Sequence, residues 1–320
     1  MGEEVGVEMP FYVVDGVSDM KLLEALLGTV LPVFLLAGLG YVARTVLKVD
    51  VKDPAKLAVY IMTPGLIMHA ILNSQLGGGE VGKIVGYLLL LTGVMITITL
   101  ATGRLLGWSL TERSAAVLST SFMNAANYGL PVVLLAFGQA GFDRAAIFVV
   151  VESILMYSVA VFFAARGRMD WRDALLSVFR LPLIWAAAAA LAIRLSGIEL
   201  PVFLLTPIEL LAGGAIVVVV ILLGMQVASI RLVGSLGKIG LATLLRLVVS
   251  PLVGLGLVSL LKPDPLTAKV LVLESAMPAA VNTTPPAVQF DAEPDQVSGV
   301  TLVSTLLSLV SVSFWVWFLQ

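Results

Sequence analysis

Cysteine is absent from the 320 residues, which excludes disulfides and thiolate metal sites. A single histidine, His69, excludes clustered imidazole chemistry. Charge is scarce: Asp, Glu, Lys and Arg make up 12% of the chain, against the roughly 25% usual in soluble domains. A net charge of -2 with no basic run argues against nucleic acid as a partner. The first residues (Glu3, Glu4, Glu8, Asp15, Asp19) are acidic and lack the basic stretch that opens a cleaved signal peptide. Residues 1–21 therefore read as a short exposed tail or interfacial segment.

Apolar residues are abundant, at 59%, and the mean hydropathy is +1.04. A water-soluble fold of this size would leave much of that surface wet, so a lipid bilayer is the consistent solvent. A helix needs about 20 mostly apolar residues to cross the hydrocarbon core. Ten stretches qualify, at about 24–46, 54–72, 84–106, 114–138, 143–165, 182–198, 203–226, 238–260, 267–289 and 296–319. Between the fifth and sixth, residues 166–181 alternate charge with apolar side chains, the pattern of an amphipathic interfacial helix. With both termini outside, the inner loops hold twelve Lys and Arg residues and the outer segments six, and Arg246 lies inside a span. The positive-inside rule favours that orientation. The inner loop with Asp291, Glu293 and Asp295 dissents, but acids weigh little in the rule.

Shifted by 154 residues, the chain overlays on itself. Ser121-Phe-Met-Asn-Ala-Ala126 falls on Ser275-Ala-Met-Pro-Ala-Ala280, and Pro131 falls on Pro285. Five spans per repeat is an odd number, so the halves (22–165 and 182–320) must have opposite topology. The expected fold is all-α, ten transmembrane helices in two inverted five-helix repeats, with broken helices four and nine crossing. Span four carries Asn124, Asn127, Tyr128, Gly129 and Pro131 in mid-stretch, and span nine carries Pro278, Asn282, Thr283, Thr284, Pro285 and Pro286. Proline removes a backbone donor and clashes with the preceding turn. Irregular backbone at this depth survives only where it lines a cavity or is buried in protein. Each break frees N–H groups at a positive half-helix N-terminus, and two such ends facing each other make an anion site with no fixed cation. A lone proline kink is more often structural; two in matching positions favour a functional crossover.

At these residues the chain resembles the auxin efflux carrier family, including bacterial malate and malonate permease-like members and the plant PIN carriers. Met123-Asn-Ala-Ala-Asn-Tyr-Gly-Leu-Pro131 is similar to the family's span-four crossover, and Ala276-Met-Pro-Ala-Ala-Val-Asn-Thr283 to its span-nine crossover. The similarity runs from about residue 24 to 319 and is elsewhere mainly hydropathy and spacing. It implies a scaffold of spans one, two, six and seven, and a transport domain of spans three to five and eight to ten that moves as an elevator. It also implies organic-anion export or uptake and a homodimer formed through the scaffold. The bile-acid-type sodium symporters share the architecture and carry a Glu one turn before their ninth-span crossover, as Glu274 stands here. That analogy places Na+ at Glu274 with oxygens from Ser121, Asn124 and Ser275; a proton at the same Glu fits equally.

Three ionisable residues lie inside spans: Glu152, Arg246 and Glu274. Such residues are costly in lipid and mark function by default. Two acids and one base cannot all pair, so one carboxylate, Glu274 first, is expected to hold H+ or Na+ in part of the cycle; the structural alternative is an Arg246–Glu clamp. The expected substrate site is Asn124, Asn127, Tyr128, Pro131, Asn282, Thr283, Thr284 and Pro285, and the ion-coupling set is Glu274, Ser121, Asn124, Ser275 and Glu152. An aromatic substrate would need an apolar pocket from spans one, two and seven. His69 reads as a packing or interfacial residue, Gln226 as a cavity or capping residue, and Gly213-Gly214 and Gly254/Gly256 as close-packing sites. A small organic-anion transporter in the cell membrane is the favoured function and a sodium-coupled symporter the alternative. A cation/proton antiporter lacks its crossover Asp, an intramembrane enzyme its Ser–His, paired-Asp or metal arrangement, and a membrane sensor its soluble domain. No cofactor beyond a coupling ion is expected.

Overall fold

A computed structural model describes residues 19–165 and 171–320. Most of the expected acidic tail, and the first part of the expected interfacial helix, lie outside those residues. Among the described residues the secondary structure is entirely helical apart from one isolated bridge. Twelve helices suffice to follow the chain: α1 Leu22–Thr45, α2 Lys52–Asn73, α3 Gly78–Leu105, α4 Leu110–Ser121, α5 Ala125–Ala164, α6 Trp171–Val178, α7 Pro182–Ser196, α8 Val202–Ser229, α9 Leu236–Leu261, α10 Pro265–Ser275, α11 Thr284–Gln289 and α12 Pro294–Leu319. Seven of them are long and apolar enough to cross a membrane, or eight if α6 and α7, bent by 64° at their junction, count as one span. Large apolar side chains such as Leu35, Leu105, Phe203, Leu210 and Val310 stand exposed, as lipid-facing surface requires. The chain is an integral membrane protein.

Helix ends follow local chemistry. Ser109 caps α4 by accepting the Glu112 amide, and the Glu112 carboxylate accepts the Ser109 amide in return, a capping box. Asp264 caps α10 by accepting the amides of Leu266 and Thr267. Proline occupies the first turn of α7, α10, α11 and α12, where its missing donor costs nothing. Within α5, Gly138 adopts φ 66° and ψ -165°, a conformation essentially restricted to glycine. This kink divides α5 where the sequence places the boundary between spans four and five.

The helices pack in two sets. In the first, α1, α2, α7 and α8 lie together. A Cβ on Gly40 would strike the backbone of Ile221, and one on Gly224 the backbone of Ala37, so α1 and α8 touch main chain to main chain. Arg44 Nε adds a hydrogen bond to Ser229 Oγ at 3.1 Å, and Arg194 donates to the Leu76 carbonyl at 2.9 Å. The close approaches expected of Gly213 and Gly256 are not there: neither has a neighbouring atom in reach of a Cβ. Gly254 does meet the Tyr87 hydroxyl and Ser275 Oγ, and Gly214 only the tip of Met62.

The second set joins α3, α4, α5, α9, α10 and α12 by polar bonds. Arg144 on α5 pairs with Asp264 at 3.3 Å and donates to Thr267 Oγ1 at 2.8 Å. Lys83 bonds Glu80 at 2.7 Å and the Lys262 carbonyl at 2.9 Å. Tyr87 reaches the Leu271 carbonyl, Thr99 the Thr120 hydroxyl, and Lys238 the Glu112 carboxylate. The second set meets the first through apolar surface, including the edge-on pair Phe34–Tyr128 with centroids 5.9 Å apart.

Candidate functional site

Both interruptions exist. Helix α4 stops at Ser121 and α10 stops at Ser275, 154 residues later, the same interval at which the sequence overlays itself. Beyond each end the chain runs extended for a few residues, and the two extended pieces cross. Met123 and Ala279 form an antiparallel bridge. The Asn124 amide donates to the Pro278 carbonyl at 2.9 Å, and the Ala280 amide to the Phe122 carbonyl at 3.1 Å. Two further donors of these pieces find side chains: Met123 N–H reaches Glu152 Oε1 at 3.2 Å and Ala279 N–H reaches Ser304 Oγ at 3.1 Å. Asn and Pro cannot sustain a helix here, and the crossing supplies the hydrogen bonds that the broken turns give up.

The crossing has two chemically opposite sides. On one side lie the C-terminal ends of α4 and α10, whose last carbonyls lack helical partners. Arg246 of α9, fully buried, donates to the Thr120 and Ser275 carbonyls and to Ser250 Oγ. Ser250 Oγ also donates to the Ser275 carbonyl at 2.9 Å. A guanidinium thus sits on two helix C-termini, where the negative ends of the dipoles favour a cation. The alternative of an Arg246–Glu clamp is corrected: among the described residues no carboxylate lies within 4 Å of Arg246, and two carbonyls and the Ser250 hydroxyl take its hydrogen bonds.

On the other side lie the restarting helices. Ala125, Ala126 and Asn127, and Val281 and Asn282, open a helical turn with no capping side chain, and among the described residues no acceptor outside the helices is bonded to their amides. Ala126, Asn127 and Asn282 of these turns line a cavity of about 60 Å³ with Asn124, Glu152 and Ala280, and Ser153 and Tyr157 of α5 and Thr63 of α2 complete its polar wall. By volume it holds a few waters or one carboxylate group. Asn124 Nδ2 is buried with no partner.

Of the expected substrate residues, Asn124, Asn127 and Asn282 meet in this cavity. Tyr128 does not. One helical step places it on the opposite side, in a larger apolar groove of about 170 Å³ with Val33, Phe34, Tyr41, Leu223 and Thr305, where its hydroxyl is unpartnered. That groove draws on α1 and α8, so an apolar pocket from spans one and seven exists, though span two takes no part in it. Pro131 is buried in the first turn after the break, Thr283 donates to the Ala280 carbonyl, Thr284 Oγ1 is buried without a partner, and Pro285 is exposed.

The ion-coupling residues also separate. Glu152 lines the cavity. Glu274 is fully buried behind it, with both carboxyl oxygens unpartnered, and its carboxyl occupies the space a side chain on Gly129 would need. Ser121 Oγ is likewise buried and unpartnered, whereas Ser275 Oγ donates to the Val272 carbonyl at 2.7 Å. Among the described residues no cluster of three His, Asp or Glu stands ready for a metal. His69 bonds Asn73, and Gln226 keeps a buried, unpartnered Oε1 away from the cavity. The sequence could not reveal Arg246 as the ligand of the C-terminal ends, because its partners are carbonyls, which every residue type has.

Comparison with known proteins places the chain in a family. A family model described as "Membrane transport protein" matches the chain twice, over residues 25–173 and 167–316. An "Uncharacterized transporter" of Methanothermobacter thermautotrophicus is 27% identical over 291 residues, covering 90% of this chain and 96% of that protein. With the family model matching nearly the whole length, the chain belongs to the membrane transport protein family, that of the auxin efflux carriers.

Proposed function

We propose that the protein is a secondary-active transporter of small organic anions, and that the substrate carboxylate binds in the cavity between the restarting helices. The observation that carries this reading is the convergence on one small cavity of first-turn residues from both restarting helices, Ala126, Asn127 and Asn282, with the unpartnered Asn124 Nδ2. Fixed N–H donors at helix N-termini bind anions without a side-chain cation. With Arg246 holding the acceptor side, the crossing is a preset dipole pair.

Further parts of the reading follow from the packing. Two inverted five-span repeats account for the 154-residue interval and the twofold family match. The polar bonds within α3–α5, α9, α10 and α12, and the apolar contact with α1, α2, α7 and α8, suit a transport domain sliding as an elevator along a scaffold. A scaffold-mediated homodimer in the cell membrane with both termini outside completes it. The apolar groove beside Tyr128 would take the hydrophobic body of an aromatic carboxylate.

The test is uptake of radiolabelled malate, malonate and indole-3-acetate into proteoliposomes. Saturable uptake of at least one, with trans-stimulation by the unlabelled compound, is expected. No uptake of any of the three would refute the reading.

A second reading, sodium symport, draws on one observation: both oxygens of fully buried Glu274, and Ser121 Oγ, lack partners. An ionised carboxylate left so would cost several kcal/mol, which a bound cation or proton relieves. Uptake that vanishes when choline replaces sodium would favour it.

A further inference from the structure

The cavity at the crossing already contains a carboxylate. Glu152 comes from α5, is 4% exposed, and places Oε1 3.2 Å from the Met123 amide, the first donor after the α4 break. It lines the same cavity as Asn124, Asn127 and Asn282. The protein's own carboxyl therefore rests on the donor side that a substrate carboxylate would use, within about 60 Å³.

Two carboxylates in so small a space repel, and neither can reach a compensating cation. The charged groups whose fields reach Glu152 are Arg246 of α9 and Glu274 of α10. Arg246 is committed to the Thr120 and Ser275 carbonyls on the far side, and Glu274 adds negative charge. Tyr157 stands in the same wall. Among the described residues no lysine, arginine or histidine lines the cavity.

Resting on the anion reading above, we infer that Glu152 is the proton carrier of the transport cycle. With the cavity empty, Glu152 holds the Met123 amide. An anion enters when Glu152 takes one proton from the solution on the open side, which removes one negative charge and frees that amide for the incoming oxygen. Release on the other side returns the proton to solution and the carboxylate to Met123. One proton accompanies each anion, so a monocarboxylate moves without net charge. The unpartnered Asn124 Nδ2 and the amides of Ala126 and Asn127, which line the cavity, supply the remaining donors.

The experiment uses the full-length protein and whichever of malate, malonate and indole-3-acetate the wild type takes up fastest. Calorimetric titration between pH 5 and pH 9 should show the wild-type Kd rising up to tenfold per pH unit on the alkaline side, the limit for one obligatory proton. Glu152→Gln should bind with a pH-independent Kd close to the wild-type acid limit. Entrapped pyranine should report one proton entering wild-type liposomes per anion, a measurement that needs no variant. A flat wild-type profile, anion uptake without proton entry, or a Glu152→Gln variant as pH-dependent as wild type would overturn the inference and leave the anion site standing. A purely structural role for Glu152 would lower the melting temperature of Glu152→Gln without moving the pH slope. Absence of uptake of all three anions by the wild type would instead overturn the anion site itself, and this inference with it.

Discussion

Met123 and Ala279, 156 residues apart, face each other across a single antiparallel bridge at the point where two interrupted helices cross. Around that bridge the backbone sorts itself into donors and acceptors. The restarting helices offer amides to a cavity, and the ending helices offer carbonyls to Arg246.

The donor side can be weakened without unfolding the protein. Asn127 and Asn282 line the cavity, and the hydrogen bonds of the crossing run through other residues. Asn127→Ala and Asn282→Ala should each cost roughly 1.5–3 kcal/mol of anion affinity, a Kd increase of about tenfold to a hundredfold. Calorimetric titration alongside a melting curve checks this; wild-type affinity in both variants would remove the cavity from substrate binding.

The acceptor side should behave oppositely. Arg246→Ala leaves the Thr120 and Ser275 carbonyls without their cation and is expected to destabilise by roughly 3–5 kcal/mol. The melting temperature in detergent should fall on the order of 10 °C. Added guanidinium at low millimolar concentration should recover part of the loss in Arg246→Ala and none in wild type.

Much of this was legible in the sequence, for physical reasons. Asn, Gly and Pro in mid-span cannot satisfy a helical ladder in lipid, so the breaks after Ser121 and Ser275 were foreseeable from residue types. The meeting of Asn124, Asn127 and Asn282 followed from it. Tyr128 was harder: a one-residue step turns a helical side chain by about 100°, and the sequence does not say which face looks into the cavity. Arg246 pointed to an acid because acids are visible in a sequence and carbonyls are not. Gly138 was read as the end of a span, and its positive φ shows how the chain turns there without a loop. The packing glycines were misassigned at Gly213 and Gly256 because close approach depends on which neighbouring helix lies opposite.

Glu274 and Gly129 form a steric pair. A methyl at Gly129 would overlap the Glu274 carboxyl, so Gly129→Ala is expected to cost about 1–3 kcal/mol. In a Gly129→Ala/Glu274→Ala double variant the two losses should be less than additive by at least about 0.5 kcal/mol. Strict additivity in melting experiments would show that the two side chains do not compete for the space.

Acid should loosen α4 from α9. The Lys238 ammonium hydrogen-bonded to Glu112, helped by the Ser109 amide, holds that carboxyl below its ordinary range. A depressed carboxyl contributes stability above its unfolded pKa, about 4.3, and loses it as pH falls through the lower folded value. Wild type should therefore lose stability below about pH 4 more steeply than Lys238→Ala. Equal acid profiles would show that the pair contributes nothing.

The two faces of the crossing owe their opposite character to peptide groups, which every amino acid brings alike. If the proposed anion site is right, side chains around the cavity can be exchanged to suit a different solute while the underlying attraction stays in place. A lineage built on this backbone can change its cargo without rebuilding its engine.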